Sequence, residues 1–212
     1  MYDKFLKRVI DIIFVLILLF PLLVISVFIA IAIKIDSKGP IIFKQKRLGK
    51  NGKEFNIFKY RTMIDNAEKV GSGLITFEGD NRITKVGSIL RKTSLDELPQ
   101  ILNVLKGDMS LVGPRPPVPY HPREYHEYTK VQKKRFIVRP GITGFAQVKG
   151  RNSLSWDERI KLDLEYIKKQ NILLDFTIIL LTVVKVFKRD GIHGNKSKSD
   201  VERKVKKKVS NN

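Results

Sequence analysis

Apolar and polar positions divide the chain into unlike regions. From Ile12 to Ile33 there are 22 residues without charge, and Ser26 carries the only polar side chain. Roughly 20 apolar residues in a helix cross a bilayer. The run reads as a membrane helix rather than a cleaved signal peptide, because no small-x-small cleavage site follows it. Pro21 lies near the middle and removes one helical hydrogen bond, so a kink or break is expected there. Lys4, Lys7 and Arg8 precede the run; Lys34, Lys38, Lys44, Lys46 and Arg47 follow it. Positive residues favour the cytoplasmic side of a membrane. A straight span sends one basic flank across. A helix that dips in, breaks at Pro21 and returns keeps both flanks on one side. Hydropathy leaves both topologies open.

Beyond this run the periods are shorter. Residues 41–48 and 53–61 flank Gly-Lys-Asn-Gly at 49–52, and the second alternates apolar and polar positions. Asn-Gly between such runs predicts a β-hairpin. Residues 62–70 suggest a short helix before a glycine-rich loop at 71–73. Apolar residues from Ser88 to Lys106 recur at helical spacing, with a break or restart expected at Pro99. Thr93 or Ser94 is a plausible N-cap, and Glu97 stands three residues after Ser94, a capping-box spacing. Residues 113–122 hold five prolines and predict a rigid extended loop. Residues 139–152 predict a turn-rich binding loop, and 156–170 a helix. Ile172–Phe187 is apolar except for Asp175 and Lys185; it is short for a span and reads as a buried or interfacial helix. The tail from Lys188 has nine Lys or Arg against three acids, so disorder is expected, with anionic lipid as one partner for its charge.

Charge and composition narrow the chemistry. The formal net charge of +20 calls for an anionic partner: nucleic acid, a phosphorylated substrate or an anionic membrane. Without cysteine there are no disulfides, thiol nucleophiles or Cys-ligated zinc sites. His121 and His126 are five apart beside Pro122, poor geometry for two ligands on one helix face.

Against this basic background Asp96 and Glu97 stand side by side in SLDELPQ, between Arg91 and the SLVGPRPP stretch that contains Arg115. Such a pair is either a solvated charge cluster or a site. Carboxylates can hold Mg²⁺ together with substrate phosphates, and one can attack phosphorus as a nucleophile. Phosphoryl transfer needs positive charge on the phosphoryl oxygens. Arg91 and Arg115 qualify, since guanidinium binds phosphate through a planar fork and the prolines flanking Arg115 stiffen its backbone.

The order of motifs resembles the bacterial sugar transferase family, the monotopic polyprenyl-phosphate phosphoglycosyltransferases. The similar stretches are GPIIFKQKRLGKNGKEFNIFKYRTM (39–63), ITKVGSILRKTSLDELPQILNVLKGDMSLVGPRP (83–116) and RPGITGFAQVKGRN (139–152), behind a hydrophobic N-terminal segment. Because the chain begins at that segment, it resembles the small, minimal members. The resemblance implies transfer of a sugar-1-phosphate from a UDP-sugar to undecaprenyl phosphate, with release of UMP, as the first lipid-linked step of a capsule, O-antigen, exopolysaccharide or glycoprotein glycan. It implies that Asp96 is the nucleophile of a phospho-aspartyl intermediate, and that Glu97 supports Mg²⁺ or proton removal. Arg91, Arg115 and Lys59 would face the phosphates. It further implies a re-entrant helix broken at Pro21, with the catalytic domain on the cytosolic face of the bacterial inner membrane and the 172–187 region near the membrane surface. Phe145 and Lys149 depart from the family pattern, which often has Trp and Asn there, and could bear on nucleotide or sugar selectivity.

The expected fold is therefore α+β: a membrane helix over 1–36, a small catalytic domain over 37–190 with a β-hairpin and several helices, and a basic tail over 191–212. Rival readings are a membrane-tethered nucleic-acid-binding protein, a catalytically inactive scaffold and a phosphatase with water as acceptor. Spread charge without an aromatic-basic pattern speaks against nucleic acid. The sequence leaves the sugar and the oligomeric state open, a homodimer included.

Overall fold

The computed structural model describes residues 5–70, 73, 76, 77, 79–150 and 153–188; the predicted tail over 191–212, Arg151 and Asn152 lie outside the described residues. Seven α-helices and four strands are described. Helix α1 (Lys7–Asp36) is the long apolar element, with a mean hydropathy of 3.3 over its most apolar window. Pro21 sits inside it without interrupting the helical run, so the expected break does not appear as a gap in the helix. Much of the helix from Leu16 to Phe28 is exposed, with Phe20 76% and Phe28 69% accessible.

Both ends of α1 grip the rest of the chain. Near its start, Lys7 Nζ lies 2.5 Å from Asp175 Oδ2, and Asp11 accepts from Ser110 Oγ at 2.7 Å. Arg8 donates to the carbonyls of Val104 and Leu105 at 2.5 and 3.1 Å. Val15 enters a core with Ile57, Val104 and Met109, while Ile29 and Ile33 enter another with Tyr60 and Leu90. At the far end Arg61 donates to the carbonyls of Ile33, Ser37 and Lys38, tying the last turn of α1 and the two residues beyond it to the hairpin.

The hairpin forms as the sequence predicts. Strands β1 (Ile42–Leu48) and β2 (Glu54–Tyr60) pair antiparallel from Ile42 opposite Tyr60 to Leu48 opposite Glu54. Asn51 and Gly52 take the left-handed conformations that the turn requires, with φ of 57° and 75°. The short helix expected over 62–70 does not form. Asn66 turns left-handed, one 3₁₀ turn follows at Ala67–Lys69, and Arg82 Nη1 ties the carbonyls of Ala67, Val70 and Gly73 at 3.0, 2.8 and 2.9 Å.

The helical pattern over 88–106 is two helices. Helix α2 (Lys85–Thr93) starts earlier than predicted, capped by Thr84, whose hydroxyl accepts from Gly87 N at 3.0 Å. Helix α3 (Gln100–Lys106) begins after Pro99. Strand β3 (Ser110–Val112) pairs in parallel with β4 (Gly141–Thr143). The short helices α4 (Lys130–Lys133) and α5 (Phe145–Lys149) follow in their turn. Helix α6 (Trp156–Lys169) starts at a Ser155–Glu158 capping box, and α7 (Ile172–Lys188) follows it. Ile178 of α7 packs with Val112, Val148 and Tyr166, whereas Ile172, Leu173, Phe176, Leu180, Leu181, Val183 and Val184 stay exposed.

Lys7, Asp175 and Tyr166 form the polar joint between α1, α6 and α7, with Tyr166 donating to Asp175 Oδ1 at 2.7 Å. The ion pair is about 10% and 8% accessible. Removing one partner of such a pair leaves an uncompensated charge, whereas replacing both with apolar groups is often neutral. Asp175→Leu should therefore destabilise the fold by about 3 kcal/mol, and Lys7→Met in the same chain should restore part of the loss, since Lys7 also lies 3.9 Å from buried Asp11. Thermal unfolding of the protein in lipid nanodiscs measures both; a double variant no better than the single would show that the pair itself is required.

Candidate active site

Between α2 and α3 the backbone reverses at Ser94, which has a left-handed φ of 57°. A single 3₁₀ turn, Leu95–Glu97, then carries the two acids. Ser94 makes no side-chain cap hydrogen bond, so the predicted capping box with Glu97 is absent. Glu97 is instead pulled away from the backbone by cations. Lys59 Nζ of β2 donates to Glu97 Oε1 at 2.7 Å, and Arg115 Nη2 donates to the same oxygen at 2.8 Å. Asp96 Oδ2 is 3.9 Å from Lys59 Nζ. Side-chain accessibilities of 17% for Lys59, 14% for Asp96 and 19% for Glu97 place the group in a cleft wall rather than on open surface.

The two carboxyls titrate in opposite directions. Burial pushes the Asp96 carboxyl up; Lys59 opposes that, and the charge of Glu97 adds to it. Burial also resists ionisation of Glu97. There Arg115, then Lys59, and the hydrogen bonds from both prevail and hold the carboxyl far below the usual glutamate range. Arg115 is raised in return, chiefly by the Glu97 charge. Arg91 Nε donates to Thr62 Oγ1 at 2.8 Å; burial lowers its pKa and Asp96 opposes the shift. The helix bearing Arg91 lies against the residue after Arg61 at Gly87, where a Cβ would meet the Thr62 carbonyl oxygen at 2.1 Å. The five residues that the sequence singled out thus gather around one turn, with Asp96 and Glu97 at its centre. Pro21, in α1, is not among them.

Arg115 depends on a clamp that sequence reasoning missed. Pro114, Pro116 and Pro117 lack backbone N–H groups, and four successive carbonyls of this loop all accept hydrogen bonds. Gly141 N donates to Pro114 O at 3.1 Å and Arg135 Nη2 to Arg115 O at 3.0 Å. Arg47 Nη1 donates to Pro116 O at 3.1 Å, and Leu48 N to Pro117 O at 2.9 Å. Burial, with the charge of Arg115, lowers the Arg47 pKa to about 10. Arg135 is itself held by Asp163 at 2.6 Å. Buried carbonyls require donors, and that accounting, possible only once the fold is known, is what assigns Arg47 and Arg135 to the loop. Glycines let the two loops cross backbone on backbone: a Cβ on Gly141 would lie 2.1 Å from Gly113 N, and one on Gly144 would lie 2.1 Å from Gly113 O.

The donor set suits a hard cation. Mg²⁺ is commonly held by one or two carboxylates with waters and substrate phosphates completing its shell. Glu97 Oε2 and Asp96 Oδ1 make no hydrogen bond or ion pair among the described residues, so the pair presents oxygens on its unoccupied side. No group of three or more His, Cys, Asp or Glu with metal-binding placement exists among the described residues.

Residues 2–189 match the bacterial sugar transferase family. The chain belongs to that family. It is 44% identical over 188 residues to the "Uncharacterized sugar transferase EpsL" of Bacillus subtilis, covering 88% of this chain and 90% of that protein. It is 40% identical over 192 residues to the UDP-glucose:undecaprenyl-phosphate glucose-1-phosphate transferase of Escherichia coli, covering 87% of this chain but 41% of the relative. A UDP-N-acetylgalactosamine-undecaprenyl-phosphate N-acetylgalactosaminephosphotransferase of Aeromonas hydrophila is 42% identical over 185 residues, again with 43% of its length covered. The chain thus spans about two fifths of these two longer relatives. Phe145 and Lys149, the two positions expected to depart from the family pattern, lie on one short helix, with Lys149 Nζ 5.3 Å from the centre of the Phe145 ring.

Gly141→Ala should force the crossing loops apart and shift Arg115. A displacement near 1 Å at a reacting group lowers turnover about a hundredfold, and that loss is expected in a sugar-transfer assay with the thermal midpoint monitored in parallel. Undiminished transfer would mean that Arg115 does not depend on the crossing.

Proposed function

We propose that the protein transfers a sugar-1-phosphate from a UDP-sugar to undecaprenyl phosphate and releases UMP. The observation that carries this reading is the Asp96–Glu97 pair, set among Lys59, Arg91 and Arg115, in a chain of the bacterial sugar transferase family. The named relatives that act on UDP-sugars and undecaprenyl phosphate support it. Initiation of a surface glycan is the biological role this reaction would serve.

The residues divide the work by their charge state. An Asp96 carboxylate oxygen attacks the phosphorus that bears the sugar. A new O–P bond forms, and the P–O bond to the nucleoside-side phosphate breaks with its electron pair leaving on UMP. An oxygen of the lipid phosphate then attacks the same phosphorus. The aspartyl–phosphorus bond breaks and the carboxylate is restored. Lys59 and Arg115 neutralise charge beside the transferring group, and Arg91 supports Asp96 in its ionised form. Glu97 stays ionised under working conditions and fixes both cations. Asp96 and Glu97 would hold Mg²⁺, which supplies neutralisation of the diphosphate when bound.

Membrane placement follows from α1. Straight, its 30 residues would extend about 45 Å. Yet Val15 shares one buried cluster with Ile57 and Ile29 shares another with Tyr60, so residues on both sides of Pro21 return to the same domain while the residues between them stay exposed. This supports a helix that enters and returns at Pro21, leaving the exposed apolar middle in lipid and the domain on the cytosolic side. The exposed apolar face of α7 would rest on the same surface, where a lipid phosphate and a soluble nucleotide sugar can meet.

UMP release from a panel of UDP-sugars, with undecaprenyl phosphate and Mg²⁺, tests the reading. One donor should react in the wild type and none in Asp96→Asn; undiminished release by that variant would misplace the nucleophile. Asp96 must be ionised to attack, so the rate should fall on an acid limb set by burial, which raises its pKa, and by Lys59 and bound Mg²⁺, which oppose that. Lys59→Met removes the leading influence that lowers this pKa and should move the limb to higher pH. A limb that stays in place would exclude Asp96 as its source.

A further inference from the structure

Arg159 differs from the arginines that line and hold the proline-rich loop. Arg115 is paired with Glu97 and Arg135 with Asp163, while Arg47 is committed to Pro116 O and Gln45. Arg159, in the first turns of α6, is half-buried, and its Nε donates to the Leu154 carbonyl at 3.1 Å. It forms no ion pair among the described residues, and its two Nη groups make no hydrogen bond there. Asp163, one turn further along, is taken up by Arg135.

The guanidinium of Arg159 lies over the Trp156 ring, 5.3 Å from its centre, and that of Arg135 lies 5.9 Å from the same centre. Arg135 in turn bonds the backbone of Arg115. Two guanidinium groups therefore share one indole, and one of them ties down the proline-rich loop. Burial makes Arg159 a weaker base, and the positive charge of Arg115 adds to the effect. Stacking on an aromatic face fixes the plane of a guanidinium while leaving its fork of donors free for a planar or tetrahedral anion. Like charges gathered in this way are relieved by a bound anion.

We propose that Arg159, held over the Trp156 ring, is a second anion-binding residue of the site and takes the phosphate on the nucleoside side of the bond that breaks. Lys59 and Arg115 face the phosphate bearing the sugar; Arg159 faces the group that departs. The assignment to a nucleotide rests on the function proposed above, in which a nucleoside monophosphate is the leaving group. Arg159 stabilises the charge that this group acquires as the P–O bond breaks, and it gives the product a measurable affinity of its own.

Trp156 is the only tryptophan in the chain, so its emission reports on this position directly. The full chain in nanodiscs of phosphatidylcholine and phosphatidylglycerol would be titrated with UMP, uridine and inorganic pyrophosphate. UMP and pyrophosphate should change the emission saturably, and uridine should do so only weakly. Loss of a charge-assisted contact should weaken UMP binding about ten- to a hundredfold in Arg159→Gln. Arg159→Lys, which keeps the charge but not the fork, should fall between; it also serves as the test should the Gln variant lose its thermal transition. Wild-type UMP affinity in a folded Arg159→Gln protein would reduce the residue to a stacking partner and overturn the proposal. Uridine binding as tightly as UMP would overturn it too. Pyrophosphate binding that depends on Arg159, with no turnover of any UDP-sugar, would uphold the anion site and overturn the transferase reading instead.

Discussion

Taking Glu97 largely out of water is the constraint from which the site follows. An ionised carboxylate in that position needs compensation, and it comes from two cations that are distant in sequence. Lys59 arrives on the second hairpin strand, 38 residues earlier, and Arg115 on the proline-rich loop, 18 residues later. Their convergence on one oxygen locks strand, 3₁₀ turn and loop together. It also releases Asp96 from that duty. With Lys59 and Arg115 committed to Glu97, Asp96 keeps only a 3.9 Å approach to Lys59, a carboxylate surrounded by positive charge but tightly bound by none of it.

The hairpin, the helix at 156–170 and the long apolar helix were legible because each depends on local pattern: Asn-Gly between alternating runs, a capping residue before a 3.6 period, and unbroken hydrophobicity. The candidate site residues were named through motif resemblance, and the structure brings Lys59, Arg91, Asp96, Glu97 and Arg115 together. Errors fell where distant contacts overrule local preference. Ser94 and Glu97 have capping-box spacing, but two remote cations outcompete a backbone N–H for Glu97. Residues 62–70 have a helical look, but Asn66 and the reach of Arg82 into three carbonyls impose another path. Arg47 and Arg135 were illegible for a related reason. Each sits in a basic run with nothing to set it apart, and its role exists only once the Pro114–Pro117 carbonyls lie beside it.

The long apolar helix is joined to the same centre at both ends. Asp36, its last residue, accepts from Val86 N in the first turn of α2, while Arg8, near its start, holds the carbonyls at the end of α3. Those two helices enclose the turn that carries Asp96 and Glu97. The apolar helix is thus a structural member of the domain that carries the candidate site rather than an appended segment.

The loop that presents Arg115 has another property. Many phosphate sites cradle their ligand in backbone N–H groups at a helix start or a glycine-rich turn. Here three prolines in four residues remove those donors, and the carbonyls face inward onto their clamps. On the proposed function, recognition at this loop would fall to side-chain charges, which sense how much negative charge is present and hardly what it is attached to. Such a wall would be indifferent to hydroxyl stereochemistry. One phosphate-handling architecture can then serve glucose in one relative and N-acetylgalactosamine in another, with choice of sugar delegated to other surfaces of the cleft.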